Sequence, residues 1–139
     1  MSKINWCLVS AIVVLASLIV GLYSAHARDL GQWENTDPVT HEWFKTLMQP
    51  DNPTASCCGE ADAYHCDLIN VRDGKTFCTI TDERDDGPLR RPHLDIGTQI
   101  EIPDHKLKYD RGNPTGHAIV FVGPAPFLHV WCFVQNGGV

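Results

Sequence analysis

The chain has no Cys-x-x-Cys pair and no two histidines four positions apart. Zinc fingers and zinc ribbons draw their ligands from such close pairs, so that class is excluded. There is no internal repeat and no low-complexity tract, which removes solenoids, propellers and disordered arrays. Basic residues are few, with 11 Lys and Arg against 17 Asp and Glu and a net charge of -6. That balance argues against nucleic acid or anionic lipid as a partner, because clustered cations hold both. The rest of the composition is ordinary: 139 residues, 43% hydrophobic and 20% charged, enough for one globular domain. The six cysteines are the exception.

Lys3 gives a positive start, Trp6 to Tyr23 is almost wholly apolar, and Ala25-His26-Ala27 fits a small-x-small cleavage site. These features predict a signal peptide over residues 1–27 and a single exported domain over 28–139, periplasmic or secreted. The apolar run is 18 residues long and no Lys/Arg-rich stop follows it. That length is near the lower limit for a span, so an uncleaved leader would be the only membrane contact. Cys7 lies before the apolar run and not at the cleavage site, which argues against a lipid anchor. Cleavage leaves 112 residues and a charge of -7. It also leaves five cysteines, Cys57, Cys58, Cys66, Cys78 and Cys132. Export makes disulfides the default, and an odd set leaves one thiol over.

One helix is predicted. Asp37 suits its cap and Pro38 its first position. Val39, Trp43 and Leu47, flanked by Phe44 and Met48, form an apolar stripe that Pro50 ends. The remainder reads as strands. Leu68–Val71 and Thr76–Ile80 flank Asp73-Gly74, a strong hairpin signal. Gln99–Ile102 alternates in polarity, Ala118–Val122 is continuously apolar, and Leu128–Val134 follows a Pro-rich entry. The expected fold is α+β and mostly β. One N-terminal helix packs on a small antiparallel sheet or open barrel tied by disulfides.

Adjacent cysteines rarely bond each other, so Cys57 and Cys58 look elsewhere. A bond from either to Cys132 closes about 75 residues and stabilises by about 4 kcal/mol on the chain-entropy account. Cys66 and Cys78 flank the hairpin. A two-residue Asp73-Gly74 loop sets them on opposite faces, and a bulged three-residue loop sets them diagonally on one. A metal site assembled only by the fold is a further alternative, with His65 or His129 beside a cysteine.

Gly116-His117 opens an apolar strand, Cys58 precedes it and His129 follows 12 residues later. This order resembles the NlpC/P60 cell-wall peptidases. The resemblance implies that Cys58 attacks a peptide carbonyl, His117 takes its proton and His129 orients the ring. The sequence departs from that family after the cysteine. The family's nucleophile opens a long apolar helix within Asp-Cys-Ser, whereas a short polar stretch, Gly59-Glu60-Ala61-Asp62-Ala63-Tyr64, follows Cys58.

A second pattern covers most of the exported domain. It comprises Trp43-Phe44 before a proline, Cys57-Cys58-Gly59-Glu60-Ala61-Asp62-Ala63-Tyr64, Pro103, and Cys132-Phe133 near a Gly-rich end. It is similar to a group of small exported bacterial proteins of unknown function. The resemblance implies a bridge from the double cysteine to Cys132 and no particular activity. Cys66 and Cys78 stand outside that pattern and read as an added hairpin pair.

Asp82-Glu83-Arg84-Asp85-Asp86-Gly87 has Arg84 and His93 where a calcium loop needs an acidic or amide residue and a glutamate. It reads as a solvated turn. Arg90 and Arg91 follow it, either offsetting its charge at the surface or forming a small anion site. Trp33 is the best candidate for an exposed, glycan-facing aromatic; Trp43 and Trp131 read as core. The expected function is a non-catalytic binding or structural module. Its partner is a small molecule, a glycan or a protein, and no cofactor is implied.

Overall fold

The computed structural model describes residues 36–59, 61–124 and 126–136. The proposed signal peptide over residues 1–27 and Trp33 lie outside the described residues. The helix α1 spans Pro38–Thr46, and the Asp37 carboxylate accepts from the N–H groups of Val39 and Thr40 at 3.2 and 2.9 Å. Trp43 and Phe44 are buried on it, with Leu47 just beyond. The apolar stripe is shorter than its spacing suggests, because Val39 remains 65% exposed. The helix stops at Thr46, well before Pro50, because the chain turns back on itself. Met48 bridges to Ser56, and the Cys57 N–H donates to the Leu47 carbonyl at 2.9 Å. That return brings Cys57 beneath the helix.

Seven strands follow among the described residues. β1 (Asp62–His65), β6 (Ile119–Val122), β7 (Val130–Gln135) and β5 (Leu107–Tyr109) form one sheet in that order. β2 (Leu68–Arg72), β3 (Lys75–Thr79) and β4 (Gln99–Ile102) form a second, antiparallel sheet. A four-residue helix, α2 (Asp86–Leu89), lies between β3 and β4. The fold is α+β, mostly β and tied by disulfides, as expected; its strands divide between two sheets, and β5 runs parallel to β7 with Leu107 beside Phe133.

β6 shows how the layers stack. Ile119 and Phe121 pack with Trp43, Phe44, Leu47 and Cys57 on the helix side. Val120 and Val122 pack with Cys78, Ile80, Ile100 and Ile102 of the smaller sheet. A strand covered on both faces is apolar throughout instead of alternating. The described residues thus form three layers: helix, four-stranded sheet and three-stranded sheet. One disulfide serves each interface, Cys57–Cys132 on the helix side and Cys66–Cys78 between the sheets.

The hairpin has the two-residue loop, with Asp73 and Gly74 at φ 52° and 74° and Arg72 opposite Lys75. Positive φ at both loop residues is the type I′ signature. That loop predicts Cys66 and Cys78 on opposite faces, yet they are bonded. The β2–β3 ladder ends at Leu68 and Thr79. Cys66 is still tied to the first sheet, donating to the Ala118 carbonyl at 2.9 Å. The chain changes sheets at Cys66-Asp67, so the hairpin's parity does not extend to Cys66.

Candidate functional site

Ionisable residues converge where β1 passes into β2 and β3 leaves its sheet. Asp82 is buried there among donors. Its Oδ1 accepts from Arg84 Nε at 2.8 Å. Its Oδ2 accepts from Arg84 Nη2 at 2.6 Å, Arg91 Nη1 at 2.7 Å and the His65 N–H at 2.9 Å. Burial alone raises a carboxyl's pKa, but these hydrogen bonds outweigh it and hold Asp82 far below the usual carboxylate range. Arg91 is buried with it. It donates to Asp86 Oδ1 at 2.5 Å and the Ala63 carbonyl at 2.6 Å, and lies 4.3 Å over the Tyr64 ring. The Tyr64 hydroxyl in turn donates to the Pro92 carbonyl at 2.7 Å.

Beside this network stands a second group. Asp67 follows the change of sheet at Cys66. Its Oδ1 accepts the Ala118 N–H at 2.7 Å, and its Oδ2 accepts the Thr81 hydroxyl at 3.0 Å and His117 Nδ1 at 2.9 Å. Burial pushes its pKa up, but bonds from His117, Ala118 and Thr81 prevail and keep it ionised. An ionised carboxylate has no proton to give, so Nδ1 of His117 is the donor and Nε2 has no hydrogen-bond partner among the described residues. The His65 ring lies flat against His117, with centroids 3.9 Å apart and planes 10° off parallel. Burial, then the Arg84 charge, lowers the His65 pKa to about 4, so it is neutral near pH 7. The His117 side chain is 45% exposed and forms the outer face of the stack.

The residues singled out by sequence do not assemble as proposed. His65 lies opposite Ile119 at one end of β6. The His129 carbonyl accepts from Gly123 N–H at the other end. Four strand residues separate the two ends by about 13 Å, and the expected metal site, His65 or His129 beside a cysteine, meets Cys57, Cys66, Cys78 and Cys132 all in bridges. His117 and His129 are separated in the same way, and the residue that orients His117 is Asp67. Among the described residues no group of three or more His, Cys, Asp or Glu is arranged to hold a metal ion. Arg90 and Arg91 form no joint anion site: Arg91 is paired with Asp82 and Asp86, and Arg90 ends α2 in a left-handed conformation on the exposed side. Nor is the acidic turn wholly solvated, since Asp82 anchors the network.

Of the double cysteine, Cys57 takes the bridge to Cys132 and Cys58 is free. The Cys58 thiol donates to the Phe44 carbonyl at 3.4 Å, and burial pushes its pKa up to about 12. Trp43 is core, as expected, and its Nε1 donates to Asp110 Oδ2 at 3.1 Å. That bond fixes the turn-rich loop before β6 to the helix.

Two buried disulfides belong to an oxidising compartment. No helix among the described residues is long and apolar enough to cross a membrane. No protein-family model matches the chain, and no curated protein or solved structure is similar to it.

Proposed function

We propose that this chain is an exported module, released after Ala27 and active in the periplasm or outside the cell, which binds or scaffolds and does not catalyse. It belongs on this account with the small exported double-cysteine proteins. The observation that carries it is the state of Cys58, whose half-buried thiol donates to the Phe44 carbonyl and has its pKa pushed up by desolvation to about 12. A cysteine nucleophile requires the reverse, a thiolate favoured by nearby positive charge or a helix N-terminus. The partner is a small molecule, a glycan or a protein. The partly exposed His117 ring, fixed at Nδ1 by Asp67 and backed by His65, is the point at which a ligand's polar group docks.

Mass spectrometry of the unreduced protein tests this. The exported chain begins at Arg28 and carries two disulfides. Iodoacetamide labels one cysteine, Cys58, and the rate keeps climbing beyond about pH 10 as the thiolate forms. Rapid labelling at neutral or acidic pH defeats the non-catalytic account and revives the hydrolase.

A further inference from the structure

β2 is an edge strand of its sheet. Leu68, Ile69 and Val71 on it are 63%, 44% and 64% exposed. In the β2–β3 register Ile69 lies opposite Cys78 and Val71 opposite Thr76. Those residues in turn lie opposite Ile100 and Ile102. Ile69 and Val71 therefore stand on the core-facing side of the sheet, beyond the reach of the layer that covers Cys78, Ile100 and Ile102. Edges are normally blunted by a charge, a proline or a bulge. The strand has one charge, Arg72, and it is turned away, 4.5 Å over the Phe77 ring and bonded to Gln99 at 2.8 Å.

The backbone of this edge also has a defined register. Arg72 and Lys75 close the two-residue turn, so Arg72, Asn70 and Leu68 direct their N–H and C=O groups to β3. Those of Ile69 and Val71 point outward. We infer that β2 pairs antiparallel with β2 of a second copy of this chain, about a two-fold axis through Asn70. In that register Ile69 of each copy faces Val71 of the other, joining about four outward backbone hydrogen bonds. β-branched side chains meet directly, which is a favourable cross-strand pair. Asn70 faces Asn70, and Arg72 faces the apolar Leu68, so no like charges oppose within the strand. Asp67 and Asp73 flank it, but the Asp67 carboxylate is turned inward onto the Ala118 N–H. A second copy fits because the strand is complementary to itself. One short edge buries less than the roughly 1,200 Å² of stable complexes, so the dimer is weak and concentration-dependent.

The register gives a sharp test in a Cys58→Ala background. The two-fold axis places Asn70 of both copies at a non-hydrogen-bonded pair about 4.5 Å apart, inside disulfide range. Asn70→Cys therefore cross-links on mild oxidation at least about tenfold faster than Arg72→Cys, whose two copies lie about 13 Å apart. Equal rates, or no cross-linking by either, overturn the pairing. Sedimentation of the unmodified protein gives a second readout that no new cysteine can disturb. It shows a concentration-dependent dimer that Val71→Lys abolishes and that Phe127→Lys, at an 88% exposed aromatic outside β2, leaves intact. A chain that stays monomeric to about 1 mM, far above the Kd of even small interfaces, overturns the inference and leaves the edge to a strand of another protein. So does a dimer lost in Phe127→Lys but kept in Val71→Lys.

Discussion

Asp82 shows how much one side chain can hold. It accepts from two guanidinium groups and from the backbone N–H groups of His65 and Arg84, and one of those guanidiniums, on Arg91, is buried with it. Asp82→Ala leaves Arg91 inside without its main counter-charge, so a loss of about 3–5 kcal/mol is expected in urea unfolding. A loss below about 1 kcal/mol would mean water reaches Arg91 freely. The same neighbourhood sets the acid response. His65 is held near a pKa of about 4 by burial and by Arg84, against an ordinary value of 6.5. The unfolded chain binds the extra proton between those values, so stability falls as pH drops from about 6.5 to about 4. Asp82 acts later. Its folded pKa lies below its ordinary 3.8, so its contribution is present above that value and lost as pH falls further. His93 works in the opposite sense, raised by Asp86 and Asp95, but it is exposed and salt screens it. Melting temperature against pH in high salt therefore declines in two stages. His65→Gln removes the upper stage and keeps the lower; a profile unchanged by that substitution would show that His65 does not carry it.

At the scale of elements, the Asp73-Gly74 turn gives the cleanest expectation. Gly74 has φ 74° and nothing within 4 Å of where a Cβ would stand. Gly74→Ala therefore costs only backbone conformation, about 1–2 kcal/mol by urea midpoint, with no steric addition. This hairpin was legible because both strands and the turn lie within a dozen residues and each signal is local. The helix cap at Asp37-Pro38 was legible for the same reason. β1 and β5 were not. β1 is four residues, and its Ala63 and Tyr64 are buried on opposite faces, so it shows no alternation. β5 is three residues paired in parallel with a strand some 25 positions on, and no local pattern announces that. Hydrophobic periodicity reports which residues leave water, not which sheet they join, so the division into two sheets was hidden. The site was hidden more deeply. Asp67 meets His117 and Ala118 across 50 and 51 residues. Asp82 sits in a run of charges that reads as solvated until Arg91 folds over it. The nearest local signal was an aspartate directly before one strand and another two residues after Ile80.

For the whole molecule, the two disulfides divide the stability unequally. Cys57–Cys132 spans 75 positions and holds the helix layer to the central sheet, while Cys66–Cys78 spans 12 and joins the two sheets. Loop-closure entropy assigns about 4.5 kcal/mol to the longer bridge and about 3 to the shorter. Small domains are stable by about 5–15 kcal/mol in all, so either is a large share. Cys57→Ala/Cys132→Ala is expected to lower the urea midpoint more than Cys66→Ala/Cys78→Ala, and to steepen the transition because its unfolded chain expands further. Equal losses would mean that packing between layers, not the constraint on the unfolded chain, sets the cost. Access adds a kinetic side. All four bridged sulfurs belong to fully buried residues, so a thiol reagent reaches them only when the layers part. Reduction of the folded protein should therefore be slow in water and accelerate with urea in step with unfolding, both bridges going together. Fast reduction of one bridge in water, with the other intact, would show instead that its layer opens by itself, and that the three layers do not unfold as one unit.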